Sequence, residues 1–369
     1  MAELLTALGV MSGTSMDGVD IALLTTDGEE TSQRGPFFSQ PYPAATRARI
    51  ADALLEARAI RERTERPASL ATLESELTAI HGEAILNYLG RMGIGASSID
   101  VIGYHGHTVL HRPERRLTVQ LGDGAMLARI TGRAVVNDLR AADVQAGGEG
   151  APLVPVYHRA LAARAPERPV AFVNIGGVAN VTWVGRDGAL LAFDCGPGNA
   201  LIDDWAMRHT GRPVDLDGAL ARSGTADEAV LRSYLLSGFL DRPAPKSLDR
   251  GDFTLEPVEH LSPADGAATL ARLTAATIAR AAAWFPEQPT WWIVCGGGRR
   301  NRFLMELLAW HLTAPVAPAE ALGLDGDAIE AEAWAYLAVR SLKGLPITFP
   351  TTTRAPQPMT GGVLHQLSR

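Results

Sequence analysis

The run Leu4-Leu-Thr-Ala-Leu-Gly-Val-Met-Ser-Gly-Thr-Ser-Met-Asp-Gly-Val-Asp-Ile-Ala-Leu-Leu24 holds two short apolar segments, Leu4 to Met11 and Val19 to Leu24, around a polar turn from Ser12 to Gly18. Apolar runs of this length bounded by turn residues form strands, and a Gly-containing polar turn joins them as a hairpin. The pattern returns at Val170-Ala-Phe-Val, which enters Asn174-Ile-Gly-Gly177 and leaves through Val178-Ala-Asn-Val-Thr-Trp-Val184. The two stretches share a build, not a residue-by-residue repeat, and point to two similarly made halves.

Working outward, Pro43 to Met92 has helical spacing interrupted around Pro67 and predicts two helices. Strands are expected at Val101 to Tyr104, Leu117 to Leu121, Leu190 to Phe193 and Trp291 to Val294, and helices at Asp123 to Thr131, from about Ala200, at Thr269 to Trp284, at Arg300 to His311 and at Ile329 to Lys343. Pro350 to Pro358 reads as a tail or connecting loop. Strands alternating with helices make an α/β architecture.

The chain has 369 residues, enough for two domains that each bury a core. With 46% hydrophobic and 20% charged residues it has the balance of a globular protein, and a net charge of −7 argues against a surface built to neutralise nucleic-acid phosphates. Cys195 and Cys295 are too few for a zinc quartet or a disulfide framework and read as reduced thiols. The N-terminus lacks the positive region of a signal peptide, and no apolar stretch is long enough to cross a bilayer, so a cytoplasmic protein is expected.

Three glycine-bearing turns, Gly13 to Gly18, Gly176-Gly177 and Gly296 to Gly298, each follow an apolar strand. Glycine there lets the backbone approach a phosphate and aim N–H groups at it. Singly, each is an ordinary tight turn; together, across both halves, they point to a nucleotide cleft. No Gly-x-x-x-x-Gly-Lys-Ser/Thr run is present, which excludes a Walker-type loop. Thr14 and Ser15 offer hydroxyls, and Asp17 and Asp20 are candidate partners of Mg²⁺, direct or through water. Asp194 ends a predicted strand before Gly196-Pro-Gly198, where it is either a proton acceptor or a capping residue of the next helix. His105 and His107, two apart on a strand, are expected on one face, but no companion stands at metal spacing, and His105 reads as a hydrogen-bonding residue near substrate. Of Glu330 and Glu332, one faces the cleft and the other is a solvated charge; pattern alone leaves the choice open.

In order, Gly9-Val-Met-Ser-Gly-Thr-Ser-Met-Asp-Gly-Val-Asp20, His105-Gly-His-Thr-Val, Ala146-Gly-Gly-Glu-Gly-Ala-Pro-Leu-Val-Pro155, Asn174-Ile-Gly-Gly-Val-Ala-Asn180, Phe193-Asp-Cys-Gly-Pro-Gly-Asn199 and Gly296-Gly-Gly-Arg-Arg-Asn301 closely resemble the anhydro-N-acetylmuramic acid kinases, over about residues 9 to 340. The resemblance implies the fold of the actin, hexokinase and Hsp70-like ATPases: two RNase H-like domains with an interdomain cleft, here 1–139 with about 342–369, and 140–341. It implies ATP and Mg²⁺ as cofactors, an amino-sugar substrate and a homodimer. By the same resemblance Gly13, Thr14, Ser15, Met16, Asp17, Gly18, Val19 and Asp20 wrap the phosphates, Gly176 and Gly177 form a second phosphate turn, and Gly296, Gly297, Gly298 and Asn301 lie toward the adenosine. Asp194 becomes the general base, and His105, Asp138, Arg140 and Glu330 substrate contacts. The implied reaction phosphorylates O6 of 1,6-anhydro-N-acetylmuramic acid while water opens the bridge at C1.

The chain departs from the pattern at His107 for Gln, Cys195 for Thr, Leu139 for Phe, Glu149 for Gln, and in Pro245-Lys-Ser-Leu-Asp-Arg250, departures that bear on substrate more than on reaction class. A nucleotide-switched regulator could dispense with Asp194, and a metal hydrolase would be built on the three histidines of His105 to His111. Each is a weaker reading of the same residues.

Overall fold

A computed structural model of the chain describes residues 3–13, 16–248 and 252–367, which form two compact units, 1–161 with 328–369 and 162–327. The chain crosses between them at Leu161/Ala162 and Asp327/Ala328, whereas the sequence reading put the boundaries at 139/140 and 341/342. The helix over Ile329–Leu342 explains the later crossing, because it packs on the sheet of the first unit.

The first unit opens with β1 (Leu5–Ser12), β2 (Gly18–Thr26) and β3 (Ser32–Pro41), an antiparallel meander. Helices α1 (Ala44–Glu56) and α2 (Leu70–Met92) follow, then β4 (Val101–Arg112) parallel to β1, β5 (Leu117–Leu121) folded back on β4, α3 (Gly124–Thr131), and β6 (Ala134–Asn137) parallel to β4. Short helices α4 (Ala141–Ala146) and α5 (Pro155–Leu161) lead out. β4 runs well past the predicted Tyr104 because its far half pairs with β5. Asp123 is not the first helical residue but the N-cap of α3, its carboxylate accepting from Met126 N–H.

The second unit repeats the plan. β7 (Val170–Ile175), β8 (Val178–Val184) and β9 (Leu190–Pro197) form an antiparallel meander. Helices α6 (Ala200–Thr210), α7 (Ala219–Arg222), α8 (Glu228–Leu235) and α9 (Pro263–Ala281) precede β10 (Trp291–Cys295), which is parallel to β7. Then come α10 (Arg302–His311) and β11 (Val316–Pro318), parallel to β10. The path β9-β8-β7-β10-β11 matches β3-β2-β1-β4-β6 in order and direction. Two RNase H-like halves of the actin-like ATPase fold are therefore present, as the paired hairpins suggested. α9 starts six residues before the predicted Thr269, where Ser262 caps it and Pro263 takes the first turn.

The chain returns to the first unit as α11 (Ile329–Leu342), α12 (Pro350–Thr353) and β12 (Val363–His365), the last pairing antiparallel with β6. The expected tail is thus part helix and, farther on, a sheet edge. Gly9 and Gly103 lie opposite each other in β1 and β4, and a Cβ on either would sit 1.7 Å from Ala331 O or 2.0 Å from Trp334 O. Glycine at both lets the alanine-rich α11 lie directly on the sheet. On the opposite face α2 packs Leu77, Ile85 and Tyr88 against Leu8, Val10, Ile21 and Ile102. No described helix is long and apolar enough to cross a membrane.

Candidate active site

The first turn is held by Met16 N–H donating to Gly13 O (3.1 Å) and by Asp17 O accepting from Tyr42 N–H (2.8 Å). Met16 has a positive φ of 56°. Asp17 is exposed and Asp20 half-buried. Thr14 and Ser15 lie outside the described residues. Gly18 is there for close packing: a Cβ would meet Gln40 O of β3 at 2.3 Å. The Val19 side chain is fully buried in the core.

A sequence of buried hydrogen bonds runs behind this turn, from His107 Nδ1 to Ser12 Oγ (2.8 Å), Ser12 Oγ to Tyr42 OH (2.8 Å), Tyr42 OH to His81 Nε2 (2.5 Å) and His81 Nδ1 to Tyr104 OH (2.8 Å). Tyr42 donates to Ser12, which fixes the directions: Ser12 donates to His107, and His81 donates from Nε2 and accepts from Tyr104. His107 Nε2 then carries a proton and has no hydrogen-bond partner among the described residues. Sequence reading missed Tyr42 and His81, which come from β3's exit and from α2 and carry no motif.

His105 and His107 do not share a face. Gly106, at φ +71°, sits where the β1–β4 register shifts, and this bulge breaks the alternation. His105 stays on the α11 side, stacked on Trp334 at 4.3 Å, while His107 turns to the α2 side. Arg140 donates to His105 Nε2 from Nε (3.3 Å) and Nη2 (3.1 Å), gives Nη1 to Gly150 O (2.8 Å), and lies over the Trp334 ring at 5.1 Å. The His105 proton is therefore on Nδ1, which is buried. Burial and then the Arg140 charge hold His105 well below its ordinary pKa, against a smaller opposing effect of the Ser12 and Gly106 backbones. Burial brings Arg140 down to about 10, opposed by Glu330 and Asp143.

A pocket of about 340 Å³ within the first unit is lined by His105, Asp138, Tyr104, Arg63, Arg66 and Gln120, among others. Asp138, at φ +57°, pairs with Arg63, and its carboxyl is nevertheless raised because burial outweighs that charge. Arg140 and Glu330 are not part of the lining. Glu330 is half-buried, and Glu332 is no surface charge: fully buried, it accepts from Tyr157 OH (2.9 Å) and pairs with Arg34 (2.6 Å).

Burial pulls His81 down to about 3, with His107 adding to it, and His107 down to about 4. Both are neutral in the folded chain, so below the ordinary value of 6.5 the unfolded chain binds more protons. Their stabilisation is complete above that value and lost as pH falls toward 4 and then 3, at about 1.4 kcal/mol per pH unit per histidine. We expect His81→Gln to cut the loss between pH 6.5 and 5 by about 2 kcal/mol in urea unfolding; an identical loss in both proteins would refute it.

In the second unit the two glycine turns meet. β7 and β10 are parallel neighbours, and a Cβ on Gly296 (φ +72°) would strike Asn174 Oδ1 at 2.3 Å, one on Gly298 the Ile175 side chain at 2.4 Å. Gly176 O accepts from Asn199 N–H (2.7 Å), and Gly177 O from Gly198 (2.9 Å) and Ala200 (3.2 Å) N–H, which sets the turn against the start of α6. Arg299 braces the other turn through Gly296 O (2.9 Å), Asp327 (2.8 Å) and Glu320 (2.9 Å). Gly177 and Gly297 are exposed, with no atom nearer than 3.6 Å to a built Cβ. Such paired turns leave main-chain N–H groups open to an anion. The Asn301 side chain caps α10, accepting from Leu304 N–H at 3.0 Å.

Asp194 does not end its strand. β9 continues to Pro197, and Asp194 stands at a bulge where Asn180 faces Asp194 and Ala179 faces Gly196. It is half-buried, its N–H donates to Lys246 O (2.9 Å), and its Oδ2 accepts from Leu248 N–H (2.8 Å). The capping alternative fails locally, since Asn199 occupies the N-cap position of α6. Cys195 and Cys295 are buried and are not joined in a disulfide. No group of three or more His, Cys, Asp or Glu side chains among the described residues is placed to hold a metal ion.

A family model described as anhydro-N-acetylmuramic acid kinase matches residues 5–366. A protein of Rhodospirillum rubrum named anhydro-N-acetylmuramic acid kinase is 56% identical over 96% of this chain and 93% of its own length. Proteins of the same name from Rhizobium etli and Brucella canis are each 52% identical, over 97% and 98% of this chain and 98% and 99% of theirs. Matched along nearly its whole length by both the family model and these relatives, the chain belongs to the anhydro-N-acetylmuramic acid kinase family and is a phosphotransferase.

Proposed function

We propose that the protein transfers the γ-phosphoryl group of ATP to O6 of 1,6-anhydro-N-acetylmuramic acid while water opens the anhydro bridge, giving N-acetylmuramic acid 6-phosphate and ADP. The observation that carries this reading is the end-to-end match to kinases of that name. Water adds at C1, the C1–O6 bond breaks, O6 attacks the γ-phosphorus, and ADP leaves; Asp194 takes the proton from the water. The bulge and the Leu248 N–H give that carboxylate a fixed orientation, which supports its role as base.

The exposed glycines of Gly176-Gly177 and Gly296 to Gly298 support nucleotide binding, with Asn301 acting through the α10 cap rather than on the nucleotide itself. Gly13 to Asp20 are assigned to phosphate binding through the family resemblance. Asp17 and Asp20 supply the hard oxygen donors that suit Mg²⁺, which when bound would neutralise phosphate charge. His105 and Asp138 share a pocket wall and are proposed sugar contacts. Arg140 is assigned to holding His105 against Trp334, and Glu330 to the sugar through the family resemblance. The proposal includes a cytoplasmic homodimer, as the same resemblance implies.

A coupled ADP-release assay over a panel of sugars tests the reading. ADP is expected with the anhydro amino sugar and not with plain hexoses; equal turnover of glucose would sink the substrate assignment.

A further inference from the structure

β9 is the outer strand of its sheet, and its open edge at Asp194 is covered by the segment around Lys246. That segment grips Asp194 twice, accepting its N–H at Lys246 O (2.9 Å) and donating Leu248 N–H to its Oδ2 (2.8 Å). A loop crossing an edge strand has no ladder of its own to hold it. Here the anchor is the Lys246 side chain, which is 6% exposed. Its ammonium donates to Phe239 O (3.1 Å) and Leu240 O (2.9 Å) and lies over the rings of Phe239 (4.7 Å), Trp284 (5.5 Å) and Phe193 (6.0 Å). A cation surrounded by carbonyls and ring faces is strongly located, because both attract positive charge and few other places in a core do. Phe193 adjoins Asp194, so the cage also braces the strand itself.

We infer that Lys246 is a positioning residue for Asp194, fixing the orientation of the carboxylate through its own carbonyl and the Leu248 N–H. The inference rests on the reading of Asp194 as base. It gives the buried lysine of the Pro245-Lys-Ser run a task in turnover without contact with substrate. Among the described residues, Cys195 lies near both Asp194 and Lys246, and Arg280, Asp241 and Arg242 act on the lysine.

The test compares Lys246→Met, Leu248→Pro and Asp194→Asn in the full chain, with activity expressed per folded molecule. Methionine keeps length and apolar packing and removes the charge; proline removes the N–H aimed at Asp194, along with the leucine side chain that packs on the core. Both are expected to lower kcat about 10- to 100-fold, as small misplacements of a catalytic group do, with the KM for ATP unchanged. Both should also move the acid limb of the kcat–pH profile upward, since loss of a hydrogen bond to a carboxylate disfavours its ionised form. A purely structural lysine would lower the melting temperature and leave both readouts in place, and that result overturns the inference. Should Lys246→Met not fold, Leu248→Pro decides alone, unchanged kcat refuting the proposal. If Asp194→Asn itself retains turnover, the reading of the base fails instead, which separates the two.

Discussion

Asp194→Asn is expected to lower turnover of the anhydro sugar by about 10²- to 10⁴-fold, the usual contribution of a general base, while nucleotide binding stays within about twofold. The substitution is nearly silent for the fold. Asparagine presents a side-chain oxygen to the same Leu248 N–H, and the bond from residue 194 N–H to Lys246 O involves only main chain. The glycine turns of β7 and β10 are held by Asn199, Ala200 and Arg299, none of which touches Asp194 through these bonds. What changes is the capacity to take a proton. Single-turnover ADP formation, set beside a titration with a non-hydrolysable ATP analogue, reads the two effects separately. Turnover close to that of the parent would remove Asp194 from the mechanism.

Glu332→Ala should cost about 3 to 5 kcal/mol of stability, because it strands a partner of a buried ion pair. Glu332 is fully buried, with Arg34 on one carboxylate oxygen and Tyr157 OH on the other. Removing it leaves the guanidinium and the hydroxyl to find other partners in a packed wall, where Tyr157 also stacks near Tyr336 at 5.1 Å. Arg34 is 15% exposed and regains some hydration, which favours the lower end of that range. Urea unfolding with kcat measured on the folded fraction checks it. A loss under 1 kcal/mol would show that this pair contributes little, as exposed pairs do.

The contrast with Glu330 shows where sequence reasoning stops. Both carboxylates open the same helix, and pattern alone offered one solvated charge and one in the site. A helix buried on nearly all sides has no solvated face to give, so Glu332 took an internal ion pair. The histidines make the same point in a strand. Alternation put His105 and His107 together, but one glycine at positive φ shifts the register and sends them to opposite faces. Asp194 was legible as a carboxylate at a strand-turn-helix corner. Its two bonds to the segment around Lys246 were not, since they join positions about fifty residues apart, nor was its bulge, which the pairing with β8 sets.

By itself the sequence determined the α/β class, the two meanders and the glycine turns, because apolar periodicity and glycine placement act over a few residues and need no distant partner. The linear motifs were likewise enough to mark the family. Only the tertiary structure decided the edge strands β3 and β12, the relay from His107 to Tyr104, the burial of Glu332 and the cage around Lys246. Each of these depends on contacts between segments far apart in the chain. Their cost in burying polar groups is met by partners that no local pattern names.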